Sequence, residues 1–236
     1  PNPALRWAQF SSQKEANVFL EGMFIRVPEF DFSLDIRKIP LCLNGTAIHN
    51  AENAMGVIYV ALSLGISPDA IEKGLQQLRS NPIDSRGRSN WLKYNQADVI
   101  LDFAHNPDGV QRLVEMALQW SAQRRFIILG QAGDRDDLQI KGMARSASRL
   151  NAEQYYLKAL PKHQYHRAAD EVVSLLREQL LEDGVSEEKI LCFSDEMEGV
   201  KALLKQARKG DLILLLSHED LDQVLPFLEE MGASWV

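Results

Sequence analysis

The sequence predicts an α/β protein built on a mostly parallel, Rossmann-like sheet with an antiparallel hairpin at one edge. From about residue 91 onward, short apolar segments of strand length alternate with longer segments of helical periodicity. That alternation is typical of parallel sheets covered by helices on both faces. The first two strand candidates, 91–95 and 98–102, are separated only by a short polar turn, which favours an antiparallel hairpin.

The alternating region contains six predicted strands and five predicted helices. The strands are 91–95, 98–102, 125–130, 154–159, 190–193 and 211–216, and the helices are about 107–121, 137–149, 167–183, 196–208 and 219–230. A polar segment with proline and glycine, 80–90, precedes this region and indicates a linker. We therefore predict two domains, 1–82 and 83–236.

The first domain is predicted to begin with short strands and to end with two helices. The strand candidates are Leu5–Phe10, Met23–Val27 and Ile39–Leu43. From Ala47 to Gly65 the apolar residues recur at helical spacing. A second helix is predicted to begin at Ser67 and Pro68, which suit a cap and a first helical position.

The composition excludes several classes of function. The chain has 236 residues and a net charge of −7, so affinity for nucleic acids through a basic surface is not expected. No apolar run approaches the roughly 20 residues that span a bilayer, and no signal peptide is visible, so we expect a cytoplasmic protein without membrane contact. Cys42 and Cys192 lie far apart in apolar segments and are predicted to be buried free thiols rather than metal ligands.

The most informative motif is the hexapeptide DFAHNP from Asp102 to Pro107, between a predicted strand and a predicted helix. Open α/β sheets bind ligands at the carboxyl ends of their strands, where this motif places a carboxylate and an imidazole. Asn106 is suited to cap the helix and Pro107 to occupy its first position. A helix cap alone does not account for Asp102 and His105, which are therefore candidate functional residues.

The hexapeptide resembles the Asp-Tyr-Ala-His-Asn-Pro signature that opens the C-terminal domain of the Mur ligase superfamily of ATP-dependent amide-bond ligases. The chain as a whole looks most similar to the cyanophycin-synthetase type of Mur ligase. The resemblance implies that Asp102 binds the ribose of ATP, that Asn106 contributes to the nucleotide site, and that His105 is a catalytic residue near the phosphates. The alternative for His105 is a loop histidine bonded to the backbone.

Two further motifs are similar to nucleotide contacts of the superfamily. His49-Asn50 resembles a motif that closes the central ATPase domain, which implies that Asn50 contacts the adenine and that residues 1–82 are the tail of that domain. Helix capping by Asn50 is the alternative, and Ile48 stands where most members have glycine. Gly87-Arg88 resembles a linker pair, which implies that Arg88 reaches the nucleotide across the domain interface.

Substrate groups are predicted in two later loops. Residues 130–137 (GQAGDRDD) resemble a Gly-Asp-Arg segment of the superfamily, and simple helix capping by the acids is the alternative. The basic segment from Lys158 to Glu171 stands where the superfamily grips the incoming amino acid, although it lacks the Arg-Gly-Arg pattern; a solvated turn is the alternative. Because the ends of parallel strands share one edge, we expect both loops to lie beside Asp102. The candidate substrate-binding residues are Asp134, Arg135, His166 and Arg167.

The resemblance implies the C-terminal portion of a ligase that joins a carboxylate acceptor to an amino acid through an acyl phosphate. ATP and Mg²⁺ are the expected cofactors, with the main Mg²⁺ ligands and the phosphate loop upstream of this chain. We therefore expect a fragment that is inactive alone, and its assembly as a homo-oligomer is left open. Two alternatives remain: a non-catalytic ligand-binding or assembly module on the same fold, and a folylpolyglutamate-synthetase-like ligase.

Overall fold

The chain folds into two units of different architecture in a computed structural model, which describes residues 8–11, 14–168 and 170–236. The units are Pro1–Arg79 and Ser80–Val236, the N-terminal and the C-terminal unit. This division lies close to the boundary predicted between residues 82 and 83. The origin of the N-terminal unit as the tail of an ATPase domain stays a prediction.

The N-terminal unit combines a four-stranded sheet with two helices. Its strands are β1 (Phe10–Ser11), β2 (Val18–Glu21), β3 (Phe24–Val27) and β4 (Phe32–Asp35), in the order β1-β2-β3-β4. β1 and β2 are parallel, and the other neighbours are antiparallel. The helices are α1 (Ile48–Ser63) and α2 (Pro68–Gln77). A buried apolar cluster contains residues of the sheet and of both helices, among them Ile25, Leu34, Met55, Ile58 and Ile71.

One of the three strands predicted in the N-terminal unit does not form. The predicted strand Ile39–Leu43 is wrong, because Pro40–Gly45 forms tight 3-10 turns. Pro40 has no N–H to offer a neighbouring strand, and Leu43 and Asn44 adopt left-handed backbone angles with φ of 46° and 58°. Half of the predicted strand Leu5–Phe10, residues 5–7, lies outside the described residues.

The C-terminal unit is built on a seven-stranded sheet. Its strands are β5 (Asn90–Tyr94), β6 (Ala97–Asp102), β7 (Arg124–Leu129), β8 (Gln154–Lys158), β9 (Ile190–Phe193), β10 (Asp211–Leu216) and β11 (Ser234–Trp235). Its helices are α3 (Pro82–Ser85), α4 (Pro107–Gln119), α5 (Asp137–Ser148), α6 (Glu171–Glu182), α7 (Glu196–Gln206) and α8 (Leu221–Glu230). The strand order is β11-β5-β6-β10-β7-β8-β9.

Strand direction in this sheet confirms the predicted fold class. β5 pairs antiparallel with β6 as the expected hairpin, and the short β11 pairs antiparallel with β5. β6, β7, β8, β9 and β10 are all parallel to one another. Side chains of one face, such as Val99 and Ile213, pack with α7 and α8, and the alternate residues Ile100 and Leu214 are buried as well. Both faces are therefore covered, as a parallel sheet requires.

The parallel arrangement brings the ends of β6, β7, β8 and β10 to the same side of the sheet, the carboxyl edge, and their beginnings to the opposite side, the amino edge. The loops that follow these four strands therefore share a surface. The expectation that the Asp102 turn and the two later loops lie together is confirmed.

The two cysteines differ in their exposure to solvent. Cys42 is buried, and burial raises the pKa of its thiol to about 12. Cys192 is exposed, so the prediction of two buried thiols is wrong for this residue. The reason is its position in β9, the outermost strand of the sheet, where one flank has no neighbouring strand.

Candidate functional site at the carboxyl edge

The turn after β6 combines a helix cap with a histidine. The Oδ1 of Asn106 accepts a hydrogen bond from the Gly109 N–H at 2.7 Å, and Pro107 opens α4, as predicted. The Nδ1 of His105 donates to the Phe103 carbonyl at 3.1 Å, the backbone contact expected of a loop histidine. In that tautomer Nε2 is the acceptor atom of the ring, which leaves it able to meet a ligand.

Asp102 ends β6 and is oriented by the preceding linker. Its Oδ2 accepts hydrogen bonds from the Ser89 N–H at 2.6 Å and from the Ser89 hydroxyl at 3.2 Å. The neighbouring Arg88 is exposed, and its guanidinium lies 5.5 Å from the centroid of the Phe103 ring. The structure thus brings Arg88, Asp102 and Asn106, three of the four predicted nucleotide residues, to one turn.

A cavity of about 220 Å³ opens beside this turn, and it is lined by His105, Asn106, Pro107, Gln131, Arg135 and Gln139. Gln131, which was not among the predicted site residues, is buried, and its Nε2 donates to the His105 carbonyl at 2.8 Å. Its Oε1 accepts from the Ala132 N–H at 2.8 Å. One amide side chain therefore holds the loop after β7 against the turn after β6.

The loops after β7 and β8 are joined at Gly133. Its N–H donates to the His163 carbonyl at 2.8 Å, and a Cβ at this position would lie 2.1 Å from the Gln164 carbonyl oxygen. Arg167 donates to the Gly133 carbonyl at 3.3 Å and to the Arg135 carbonyl at 2.9 Å. Glycine is required here because two backbones approach each other closely.

The four predicted substrate-binding residues lie in these two loops but differ in their surroundings. Asp134 and Arg135 are partly exposed, with Oδ1 and Nε 3.6 Å apart, and His166 is exposed. Arg167 is mostly buried and pairs with Asp137 and Glu171 in addition to the two carbonyls. Its donors are therefore used to shape the loop in this structure, and its contact with substrate stays a prediction.

Lys158, the first residue of the basic segment 158–171, is not part of the solvated turn that was the alternative for this segment. Lys158 ends β8, its side chain is fully buried, and its Nζ donates to Glu196 Oε2 and to the Leu216 carbonyl, each at 2.5 Å. Glu196, in the first turn of α7, is fully buried as well. The lysine charge is therefore neutralised inside the protein by a residue 38 positions away in sequence.

The Glu196 carboxylate is also the acceptor for the loop 217–220, which follows β10. Oε2 accepts from the N–H groups of His218 at 2.9 Å and Glu219 at 3.1 Å, and Oε1 accepts from the Ser217 hydroxyl and the Asp220 N–H. Burial by itself raises the carboxyl pKa. The Lys158 ammonium and these hydrogen bonds outweigh burial and lower the pKa of Glu196 to about 2.

The Ser217 hydroxyl does not cap the last helix, α8. Residue 220 occupies the N-cap position of α8 without a side-chain cap bond, while the Ser217 hydroxyl donates to Glu196 instead. The start of α8 therefore depends on the buried carboxylate rather than on a cap of its own.

His218 and Glu219 each contain a buried acceptor atom without a hydrogen-bond partner among the described residues. His218 Nε2 donates to the Ala104 carbonyl at 2.7 Å, so Nδ1 is the acceptor, and it is unpaired, as is Oε1 of Glu219. Lys162 Nζ lies 3.9 Å from that Oε1, beyond hydrogen-bond range. Burial and then the Lys158 ammonium lower the pKa of His218 to about 3, which keeps the ring neutral. Each of these two atoms therefore lacks the hydrogen bond that buried polar groups almost always make.

Asn50, in the N-terminal unit, is not the helix cap that was considered as its alternative role. Residue Ala47 precedes α1, whereas Asn50 lies inside the first turn and donates through Nδ2 to the Leu41 carbonyl at 2.7 Å. Its contact with adenine stays a prediction.

Within residues 8–11, 14–168 and 170–236, no group of three or more His, Cys, Asp or Glu side chains is arranged to hold a metal ion. None of the helices in that part of the chain combines the length and the apolar character that crossing a bilayer demands.

Several curated proteins are similar to this chain in sequence. UDP-N-acetylmuramoyl-L-alanyl-D-glutamate–2,6-diaminopimelate ligase 1 of Clostridium acetobutylicum is 26% identical over 199 residues, which are 82% of this chain and 38% of that protein. Cyanophycin synthetase of Crocosphaera subtropica is 26% identical over 203 residues, 83% of this chain and 22% of that protein. The chain spans about two fifths of the length of the diaminopimelate ligases that it matches.

A solved structure supports the fold. The UDP-N-acetylmuramate-alanine ligase MurC of Thermotoga maritima aligns with a TM-score of 0.67 and 16% identity over 94% of this chain and 47% of that one. The family described as Mur ligase, glutamate ligase domain, matches residues 87–218, more than half of the chain. The resemblance seen in the hexapeptide is thereby confirmed, and the chain belongs to the Mur ligase family.

Proposed function

We propose that this chain is the C-terminal part of an ATP-dependent ligase that joins a carboxylate to the amine of an amino acid. The observation that carries the proposal is the gathering of the loops after β6, β7, β8 and β10 at one edge, around a cavity and two unpaired acceptors. The curated relatives are named as ligases or synthetases of this kind. A cytoplasmic location, where ATP is available, belongs to the same proposal.

The residues around Phe103 fit a nucleotide. The Arg88 guanidinium is exposed and lies over an aromatic ring, so it can fork onto phosphate oxygens or lie flat against a base. The Asp102 carboxylate, oriented by Ser89, is the kind of group that accepts ribose hydroxyls in dinucleotide folds. We assign Arg88, Asp102 and Asn106 to the nucleotide, and Asn50 to the adenine, whose edge needs a donor and an acceptor.

We assign His105 the catalytic role beside the phosphates. Its Nδ1 is held by the Phe103 carbonyl, so Nε2 is the atom that can accept a proton or hydrogen bond from a substrate. ATP supplies the phosphoryl group that activates the carboxylate. The adjoining cavity, at about 220 Å³, is smaller than the roughly 300–1,000 Å³ of pockets for whole ligands, so it suits a phosphate or a carboxylate facing Arg135.

We assign the amine donor to polar groups of the loops after β10, β7 and β8. The unpaired acceptors His218 Nδ1 and Glu219 Oε1 are suited to the N–H groups of an amine. Asp134, Arg135 and His166 provide further charged or polar groups on the adjacent loops, and Arg167 holds those loops together. An amino acid, which carries both charges, matches this mixture.

Mg²⁺ does not fit the described residues as a complete site. The ion prefers octahedral oxygen ligation, and these residues contain no cluster of three carboxylate or histidine ligands. No step of the proposed reaction is therefore assigned to a metal held by this chain.

The test is a substrate screen with the full-length gene product that contains this chain, measuring ATP-dependent phosphate release for each amino acid and acceptor. We expect release with one pairing, and a loss of about 10²-fold or more in His105→Ala, with circular dichroism unchanged. ATP binding without phosphate release for any pairing would favour the non-catalytic module. Release with glutamate and a folate acceptor would favour the folylpolyglutamate-synthetase-like alternative.

A further inference from the structure

The buried pair of Lys158 and Glu196 connects three separate elements of the carboxyl edge. Lys158 is the last residue of β8, Glu196 lies in the first turn of α7, and the carboxylate receives the N–H groups of His218, Glu219 and Asp220. Lys158 also donates to the carbonyl of Leu216, the last residue of β10. Glu196 therefore holds the loop 217–220, and Lys158 holds the strand end from which that loop leaves.

We propose that Lys158 and Glu196 are positioning residues that hold the loop 217–220 in the place where it serves the site, an inference whose functional part rests on the proposed ligase activity. The side chains of Lys158 and Glu196 are fully buried. Stability alone does not explain such a pair, because apolar residues of similar size would stabilise the fold at least as well. An apolar pair, however, offers no acceptor to three consecutive N–H groups.

The position of this loop determines the position of several site groups. His218 Nε2 donates to the Ala104 carbonyl, and its ring contacts Phe103 with centroids 5.7 Å apart, so the loop supports the turn that carries His105. Glu219 accepts from the Lys162 N–H at 2.9 Å, and Asp220 pairs with the Lys162 ammonium. The same loop therefore reaches both the turn after β6 and the loop after β8.

The hydrogen bonds that hold the loop 217–220 require the Glu196 side chain to be an ionised carboxylate. A carboxylate offers acceptors at both oxygens, whereas a glutamine at this place replaces one oxygen by an NH₂ group that only donates. In Glu196→Gln at least two of the N–H and O–H donors that converge on the carboxylate lose their acceptor. The loop must then move toward water to satisfy them.

The test is hydrogen–deuterium exchange with mass spectrometry on the full-length gene product. In Glu196→Gln we expect exchange of the amides of 218–220 to rise about tenfold or more, while the amides of 212–215 in β10 keep their protection. The matched control is Arg124→Met with Asp211→Asn, which removes the ion pair at the amino edge and is expected to leave 218–220 unchanged. If Glu196→Gln retains a cooperative unfolding transition, an equal rise in exchange throughout the unit, or no rise at 218–220, overturns the proposal.

A second variant keeps the proposal testable if Glu196→Gln does not fold. Lys158→Met with Glu196→Leu replaces both charges by apolar side chains of similar size, so we expect a retained cooperative unfolding transition together with fast exchange at 218–220. Protected amides in that variant also overturn the proposal. In an active ligase the same variant should raise the KM for the amine donor more than the KM for ATP. The exchange results do not require ligase activity, so a failure of the proposed function is seen separately.

Discussion

The two edges of the C-terminal sheet each contain a buried acid paired with a base, and the two pairs connect different kinds of structural element. At the amino edge, Arg124 and Asp211 are the first residues of the neighbouring strands β7 and β10, and they form a forked pair with distances of 2.9 and 2.6 Å. That pair joins groups that the sheet already holds side by side. At the carboxyl edge, Lys158 and Glu196 join a strand, a helix and a loop that the sheet does not align.

Solvent access also differs between the two pairs. The Arg124 side chain is 28% exposed, whereas both Lys158 and Glu196 are fully buried. Water can replace part of what Asp211 loses when Arg124 is removed, but it cannot reach Glu196 as easily. The difference teaches that an ion pair between neighbouring strands reinforces an arrangement that the sheet already fixes. The buried pair instead fixes loops that the sheet does not align, and these loops carry the proposed ligand-binding groups.

The largest expected effect comes from removing one partner of the buried pair. Lys158→Met leaves the Glu196 charge buried and unpaired, and we expect the free energy of unfolding to fall by about 3–5 kcal/mol. Arg124→Met is the matched control at the amino edge, with an expected loss of about 1–3 kcal/mol, because Asp211 keeps its bond from the Arg208 N–H. Urea denaturation of both variants measures the difference, and equal losses would remove the contrast between the edges.

The junction between the loops after β7 and β8 provides the next test. In Gly133→Ala the new methyl group meets the Gln164 carbonyl oxygen, so the loops must separate, with an expected loss of about 1–3 kcal/mol. At the amino edge, Gly210→Ala meets only the flexible Gln123 side chain, and its left-handed backbone costs about 1–2 kcal/mol. A crystal structure of Gly133→Ala should show the Gly133 N–H to His163 bond broken; an intact bond contradicts this account.

Lowering the pH should first reduce the contribution that the carboxyl edge makes to the free energy of unfolding. The folded pKa of His218, about 3, lies below its ordinary 6.5, so the unfolded chain takes up a proton first and stability is lost as pH falls below 6.5. The folded pKa of Glu196, about 2, lies below 4.5, so its contribution is lost as pH falls from 4.5 toward 2. In His218→Gln the slope of unfolding free energy between pH 6.5 and 4.5 should decrease by up to about 1.4 kcal/mol per pH unit. The exposed His166→Gln is the matched control, and equal slopes in both variants would contradict the assignment.

The smallest expected effect concerns Asn106, which has both a structural and a proposed nucleotide role. Asn106→Ala removes the cap of α4 and should lower the free energy of unfolding by about 1 kcal/mol. Asn106→Ser retains an acceptor for the Gly109 N–H and should restore most of that stability. Thermal unfolding measures both variants. If ATP affinity of the full-length protein stays normal in Asn106→Ser, the residue is a cap and nothing more.

Local patterns predicted the elements whose signals lie within a few residues of one another. The segment 98–107 contains an apolar strand, a capping asparagine and a proline in succession, and it indicated both β6 and the start of α4 correctly. The segment Ile39–Leu43 carries the same apolar character, but Pro40 and two left-handed residues prevent a strand. Sequence pattern reports apolar character better than it reports backbone angles.

The sequence indicated those candidate site residues that directly follow a predicted strand. Parallel direction alone implies that Asp102 and the loops after β7 and β8 share an edge. The pair of Lys158 and Glu196 was missed because a lysine at the end of a strand and a glutamate in the first turn of a helix both look exposed in sequence. Only the folded sheet brings them together across 38 positions. The available signal was a lysine that directly follows the apolar run Tyr155, Tyr156 and Leu157.

The strand order leaves strand edges of the C-terminal sheet exposed while the chain is being synthesised on the ribosome. β10 occupies the position between β6 and β7, and all six of its residues are buried. Asp211 follows Asp102 by 109 positions (211 − 102), so translation at about 5–20 residues per second delays its arrival by about 5–20 seconds. Throughout that interval β6 presents a row of unpaired amide and carbonyl groups that other chains can pair with, and β7 does the same from the time that it is made. Newly made molecules are therefore most prone to aggregation, and most dependent on chaperones, just before residues 211–216 emerge.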